Sequence, residues 1–197
     1  MAWLIAGLGN PSQEYVGTRH NIGRDFLLAI AKKEGMGEWK VDKKTHSLVS
    51  KGTLFGAKVG LFLPEMYMNN SGGALKGAVT SAKQASQLVV LHDELDLPLG
   101  TVKISFGSGA GGHRGVESIQ KALKTRGFVR LRIGISPATA SGKLKRPDGE
   151  RIIDFVLGKF RPPEQEKLKK TQKLVAEAIE ILLTEGLAQG MTQVNSH

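Results

Sequence analysis

The chain has 197 residues, 40% of them hydrophobic, which suits one domain with a substantial core and excludes disorder as the default state. A formal net charge of +10 with only 6% aromatic residues favours a polyanionic partner, either nucleic acid or an anionic membrane. Cysteine is absent, which removes disulfides, thiolate catalysis, iron–sulfur clusters and cysteine-type zinc sites, and makes a reducing cytosol the simplest location. No run approaches about 18 apolar residues and no charged region precedes the first apolar stretch, so neither a membrane span nor a secretory signal is expected.

The first element is a buried strand over Trp3, Leu4, Ile5 and Ala6, ending in the turn GLGNP. A helix carrying Ile22, Phe26, Leu27 and Ile30 on one face follows and ends near Lys33. Residues 45–63 read as a hairpin turning at Lys51-Gly52, and Pro64 stops it. Asn70 or Ser71 is placed to cap a helix with Leu75 and Val79. A short apolar strand over 87–91 runs into His92-Asp93-Glu94. Residues 101–106 alternate so that Lys103 and Ser105 face solvent, and the glycine-dense GSGAGGHRG leads from there into a helix over 116–124. A strand with arginines on one face covers 130–135, and the small, basic stretch 137–149 reads as a mobile surface loop. A helix over 150–157 comes next. A longer amphipathic one starts at Pro162-Pro163 with Leu168, Val175, Ile179 and Leu182 inward, and a flexible tail is expected from about residue 186. No repeat or linker divides the chain. The expected fold is a single α/β domain over residues 1–197, a twisted mixed sheet flanked by helices with a C-terminal amphipathic helix.

Ligands of open α/β sheets sit beyond the carboxyl ends of the strands. His20 lies just past the first such end and can accept a proton near neutrality, although a histidine alone specifies no site. Asp93 ends another strand and is either a turn cap or the partner of such a histidine. The glycine-rich loop lacks the Gly-Lys-Ser/Thr ending of a nucleotide P-loop, and the Gly7-Gly9 turn lacks the third glycine of a dinucleotide fingerprint. No cofactor is therefore expected; glycines here instead let a ligand approach the backbone and its N–H groups.

Five blocks in order resemble bacterial-type peptidyl-tRNA hydrolase. They are GLGNP with Tyr15 and TRHN, Tyr67-Met68-Asn69-Asn70-Ser71-Gly72, HDELDLPLG from His92, GGHRG from Gly111, and RLRIGI from Arg130. The resemblance spans nearly the full length. It implies a cytoplasmic, monomeric enzyme that cleaves the ester between a peptide and the 3′ ribose of tRNA, recycling tRNA from aborted translation. It also implies His20 as the base that activates water, Asp93 as its orienting partner, and Asn10 and Asn69 as readers of the peptide next to the ester. Met68 would supply an apolar wall, Tyr15 and Tyr67 would line the RNA 3′ end, and His113 would belong to the substrate site.

Two positions depart from the family pattern. Arg114 stands where the family usually has asparagine, and an arginine, always charged and unable to accept a hydrogen bond, suits an outward contact to a CCA-end phosphate. Ser105 replaces a frequent basic residue, so a clamp on the acceptor-stem 5′ phosphate would rest on Lys103 and Arg132, with Arg130 as a third candidate. Arg114 also keeps open a non-catalytic RNA-binding protein on the same scaffold, like the chloroplast splicing factors that resemble this hydrolase. Retention of Asn10, His20, Asn69 and Asp93 favours the enzyme. A metal hydrolase using His20, His92, Asp93 and His113 is the least supported reading, since no HExxH-type pair exists and the family needs no metal.

Overall fold

The computed structural model describes residues 2–139 and 141–196. Its strands are β1 (Trp3–Gly7), β2 (Lys40–Asp42), β3 (Ser47–Leu54), β4 (Ala57–Pro64), β5 (Leu88–Pro98), β6 (Val102–Phe106) and β7 (Val129–Ser136). The helices are α1 (Ile22–Lys33), α2 (Ser71–Lys76), α3 (Ala82–Ala85), α4 (Arg114–Leu123), α5 (Arg151–Leu157), α6 (Gln165–Thr184) and α7 (Leu187–Asn195). The strands form one mixed sheet in the order β2-β3-β4-β1-β5-β7-β6. β4, β1, β5 and β7 run parallel in its centre, and β2, β3 and β6 are antiparallel to their neighbours.

Alternating side chains of the central strands feed two cores. Ile5, Leu61, Val89, Leu91, Leu131 and Ile133 meet Phe26, Leu27 and Ile30 of α1 and Val175, Ile179 and Leu182 of α6. Ala6, Leu8, Phe62 and Val90 meet Leu75 of α2 and Val116 and Ile119 of α4 on the opposite face. Both faces are covered, as a parallel sheet requires.

Four details differ from the sequence reading. The hairpin turns at Phe55-Gly56, both at positive φ (48° and 78°), and Lys51-Gly52 lies inside β3. Ser105 is only half-exposed, and its hydroxyl is buried without a hydrogen-bond partner among the described residues. The segment expected as a flexible tail forms α7, whose Gly190 is buried and packs against Leu182 and Ile104. The basic loop expected over 137–149 folds back on itself through a bridge between Ala138 and Leu144, and Arg146 pairs with Asp96 at 2.5 Å. Residue 140 lies outside the described residues.

Close helix–strand contact brings the site together. A Cβ on Gly23 would stand 2.3 Å from the Leu91 carbonyl oxygen, and one on Gly7 would stand 2.7 Å from the Gly23 oxygen. Only glycine lets the start of α1 sit this near the end of β1 and the middle of β5. That approach sets His20, in the turn before α1, beside Asp93.

Candidate active site

His20 occupies a 3-10 turn, Arg19–Asn21, anchored on both sides. Arg19 is buried, pairs with Glu164 at 2.9 Å, donates to the carbonyls of Gly158 and Lys159, and lies over the rings of Phe155 and Phe160. Asn21 clamps the β1 turn: its Oδ1 accepts from the Asn10 N–H at 2.8 Å and its Nδ2 donates to the Asn10 carbonyl at 3.0 Å. A charge paired over 145 residues and a reciprocal amide clamp thus fix the histidine from C-terminal and N-terminal parts of the chain.

Asp93 is buried in the middle of β5, which runs on to Pro98 instead of stopping at residue 91 as expected, and it receives two imidazoles on one oxygen. His20 Nδ1 lies 2.9 Å and His113 Nε2 2.8 Å from Asp93 Oδ1. His113 Nδ1 accepts from the N–H groups of Gly115 and Val116 at the start of α4, so its proton sits on Nε2, toward the carboxylate. His20, with Nδ1–H donated to Asp93, keeps the Nε2 lone pair for another partner. Its side chain remains 14% exposed.

Burial alone would raise the Asp93 carboxyl, but the charges and hydrogen bonds of His20 and His113 outweigh it and hold it well below the usual carboxylate range. Burial pulls the His20 imidazole down, and Arg114 adds to that. The Asp93 charge and hydrogen bond prevail, and His20 ends above its ordinary value. His20, Asp93 and His113 each offer a ligand-type atom within 4.8 Å of the others, enough to outline a metal site. Those atoms hydrogen-bond one another, so a metal would have to displace both bonds. His92 stands outside that set, turned to the Asp93 carbonyl.

The remaining sequence candidates divide by position. Asn10 is buried, and its Oδ1 accepts from the Met68 N–H at 2.9 Å, which turns its amide nitrogen the other way. Met68 is buried in the core beside Leu8 and Val116, so it underlies the site rather than walling it. Asn69 and Arg114 are exposed, Tyr67 is 59% exposed and Tyr15 half-buried. Lys103 and Arg132 face each other across β6 and β7. Lys103 Nζ donates to the Asn195 carbonyl at 2.7 Å, and Arg132 Nε pairs with Glu94 at 2.8 Å. Arg130 is buried and donates to the Ser108 hydroxyl, so it anchors the glycine-rich loop rather than presenting a cation to solvent. Arg19, Asn21 and Glu94 complete the surroundings without a role assigned from sequence, and His92, considered there only as a metal ligand, joins them. Arg19 and Asn21 flank His20 in the TRHN block, which was their only signal.

The sequence matches the family model described as peptidyl-tRNA hydrolase over residues 4–197. A peptidyl-tRNA hydrolase of Carboxydothermus hydrogenoformans is 45% identical over 194 residues, 98% of each chain. One of Herpetosiphon aurantiacus is 36% identical over 98% of this chain and 90% of its own. The crystal structure of peptidyl-tRNA hydrolase from Acinetobacter baumannii superposes with a TM-score of 0.87 at 34% identity, covering 100% of this chain and 95% of that one. Sequence and fold agree along the whole length, and the chain belongs to the peptidyl-tRNA hydrolase family.

Proposed function

We propose that this protein hydrolyses the ester joining a peptide to the 3′ ribose of tRNA, with His20 as general base. The observation that carries the reading is the His20–Asp93 bond, which leaves Nε2 as the only proton acceptor on that ring. Water adds to the ester carbonyl as Nε2 takes its proton, and Asp93 stabilises the imidazolium. The same Nε2–H then passes the proton to the departing ribose oxygen. General-base help of this kind is worth about 10²–10⁴ in rate. Asn10, its amide oxygen engaged by Met68 N–H, has its Nδ2 to donate to the carbonyl oxygen as negative charge develops there.

Asn69 and the exposed Tyr67 read the peptide and the RNA 3′ end, with Tyr15 beside them. A free aminoacyl ester would present a charged ammonium where a neutral amide is expected, and an uncharged asparagine site accommodates it less well. Arg114 holds a phosphate of the CCA end, and Lys103 and Arg132 hold the acceptor stem, consistent with the net charge of +10. Among the described residues no helix is long and apolar enough to cross a membrane. The protein acts as a monomer in the cytoplasm, where its substrate arises.

The test is peptide release from N-acetyl-aminoacyl-tRNA with EDTA present, beside His20→Ala and the unacetylated ester. Turnover that needs His20 and prefers the acetylated substrate is expected. Tight, salt-sensitive tRNA binding without turnover would replace this reading with an RNA-binding one, and loss of activity with EDTA would replace it with a metal hydrolase.

A further inference from the structure

Three imidazoles crowd around Asp93, yet the reaction uses one base. His92 is wholly buried, and its Nδ1 lies 2.7 Å from the Asp93 carbonyl oxygen, an atom that can only accept. The proton is therefore on Nδ1, and Nε2 is a lone pair with no hydrogen-bond partner among the described residues. The ring meets His113 edge to face, centroids 4.8 Å apart and planes at 66°. His113 in turn lies 5.1 Å from the His20 ring. Arg130, on the neighbouring strand β7, brings a cation close to His92, while its Nη2 ties down Ser108 of the loop that leads to His113.

We propose that His92 is a positioning residue, a buried imidazole that holds Asp93 by its main chain and braces His113, so that the shared carboxylate keeps a fixed place beside His20. The charged and titratable groups facing His92 are Asp93 on its own strand, His113 ahead of α4 and Arg130 on β7. Burial first, then His113 and Arg130, push the His92 imidazole well below its ordinary range, so it cannot compete for the proton. His113 cannot swing its proton away from Asp93 while Gly115 and Val116 donate to its Nδ1 and His92 packs against its ring. His20, faced by Asp93, His113 and Arg114, is the one of these three imidazoles that pairs a free second nitrogen with partial exposure, since the free nitrogen of His92 is wholly buried.

This inference rests on the proposed function but is tested without it. The His20 ring is titrated by NMR in the wild type, in His92→Phe, which keeps a ring and loses the donor, and in His92→Asn, whose amide can restore that donor. With Asp93 less firmly held, the His20 midpoint should fall by about half a unit or more in His92→Phe and recover in part in His92→Asn. Turnover should fall about tenfold in His92→Phe with KM unchanged, because His92 never meets substrate. A folded His92→Phe protein with the wild-type His20 midpoint would overturn the proposal. If His92→Phe loses its native melting transition, His92→Leu takes its place and is read the same way. A wild type without turnover would sink the hydrolase reading alone, since the titration still decides the role of His92.

Discussion

Asn195 pairs with Ile104 as a neighbouring strand would. Its Oδ1 accepts from the Ile104 N–H at 2.8 Å and its Nδ2 donates to the Ile104 carbonyl at 2.9 Å. Ile104 lies in β6, the outer strand of the sheet, where unpaired backbone groups invite association. The last turn of α7 thus closes an open edge. Asn195→Ala removes two hydrogen bonds and should cost about 1–2 kcal/mol, lowering the melting temperature by a few degrees. Amide exchange at Ile104 should quicken. Exchange as slow as in the wild type would mean that the amide pairing contributes nothing to the edge.

Activity should follow the protonation of His20. The imidazole works as a base only when neutral, and its pKa lies above the ordinary value of about 6.5, so the acid limb of kcat/KM should be centred above that value. Stability carries the opposite sign for this group. A histidine with a raised folded pKa stabilises fully below the unfolded value, and that contribution disappears as pH rises through the folded one. The chain should therefore gain activity over a pH range in which the His20–Asp93 pair gives up part of its stabilisation. Profiles of kcat/KM and of melting temperature across this range check both signs. An acid limb below the ordinary histidine value would contradict the pairing.

Gly23→Ala tests the close approach that sets the site. The added methyl would meet the Leu91 carbonyl oxygen at 2.3 Å, so α1 must move off β5. Overpacking of this kind costs about 1–3 kcal/mol, and the movement would carry His20 away from Asp93. A melting temperature lowered by several degrees and a reduced kcat are expected together. Full activity in a destabilised protein would show that the His20–Asp93 contact tolerates the shift.

The parts of the fold that were legible in sequence are those whose signal is local. β1, α1 and α6 follow from apolar runs and four-residue spacing, and the turn before α1 from its glycines. The β3–β4 turn was misplaced because Phe55 adopts φ 48°, a conformation its side chain gives no reason to expect, while Lys51-Gly52 looked like the turn. α7 was missed because what fixes it is an edge strand some 90 residues away, not its own composition. His20, Asp93 and Asn10 could be assigned only through the family resemblance, since their meeting depends on how β1, β5 and α1 pack. Arg130 looked like a surface cation because strand alternation says which side chains share a face but not whether a loop covers it. Here the loop from Gly107 does, with Ser108 accepting from Arg130 and from Gln120 through its carbonyl.

Arg114→Asn separates two effects of the residue that departs from the family pattern. Arg114 is exposed at the start of α4, and its charge lowers the proton affinity of His20. Removing it should move the acid limb of kcat/KM upward. If the guanidinium also holds a phosphate, KM for the tRNA ester should rise and its salt dependence should weaken by about one counterion. An unchanged KM with a shifted acid limb would leave Arg114 an electrostatic neighbour of His20 and no ligand of the RNA.

Lys103 and Arg132 are held before any RNA arrives, and this shapes what their removal should do. Arg132 already pairs with Glu94, whose carboxylate is buried, and Lys103 with the Asn195 carbonyl at the closed sheet edge. A phosphate bound at Arg132 would share it with Glu94, so the proposed contact should be weaker than a fresh ion pair but fixed in direction. Arg132→Gln should weaken tRNA binding similarly for different tRNA sequences and lower the slope of log K against log salt by about one, without altering the pH profile of His20. Lys103→Gln should act in the same direction. Glu94→Gln frees the Arg132 cation from its partner and should tighten binding at low salt. If Arg132→Gln binds tRNA with the wild-type salt slope, the Arg132–Glu94 pair is a structural link between β5 and β7, and the acceptor stem is held elsewhere.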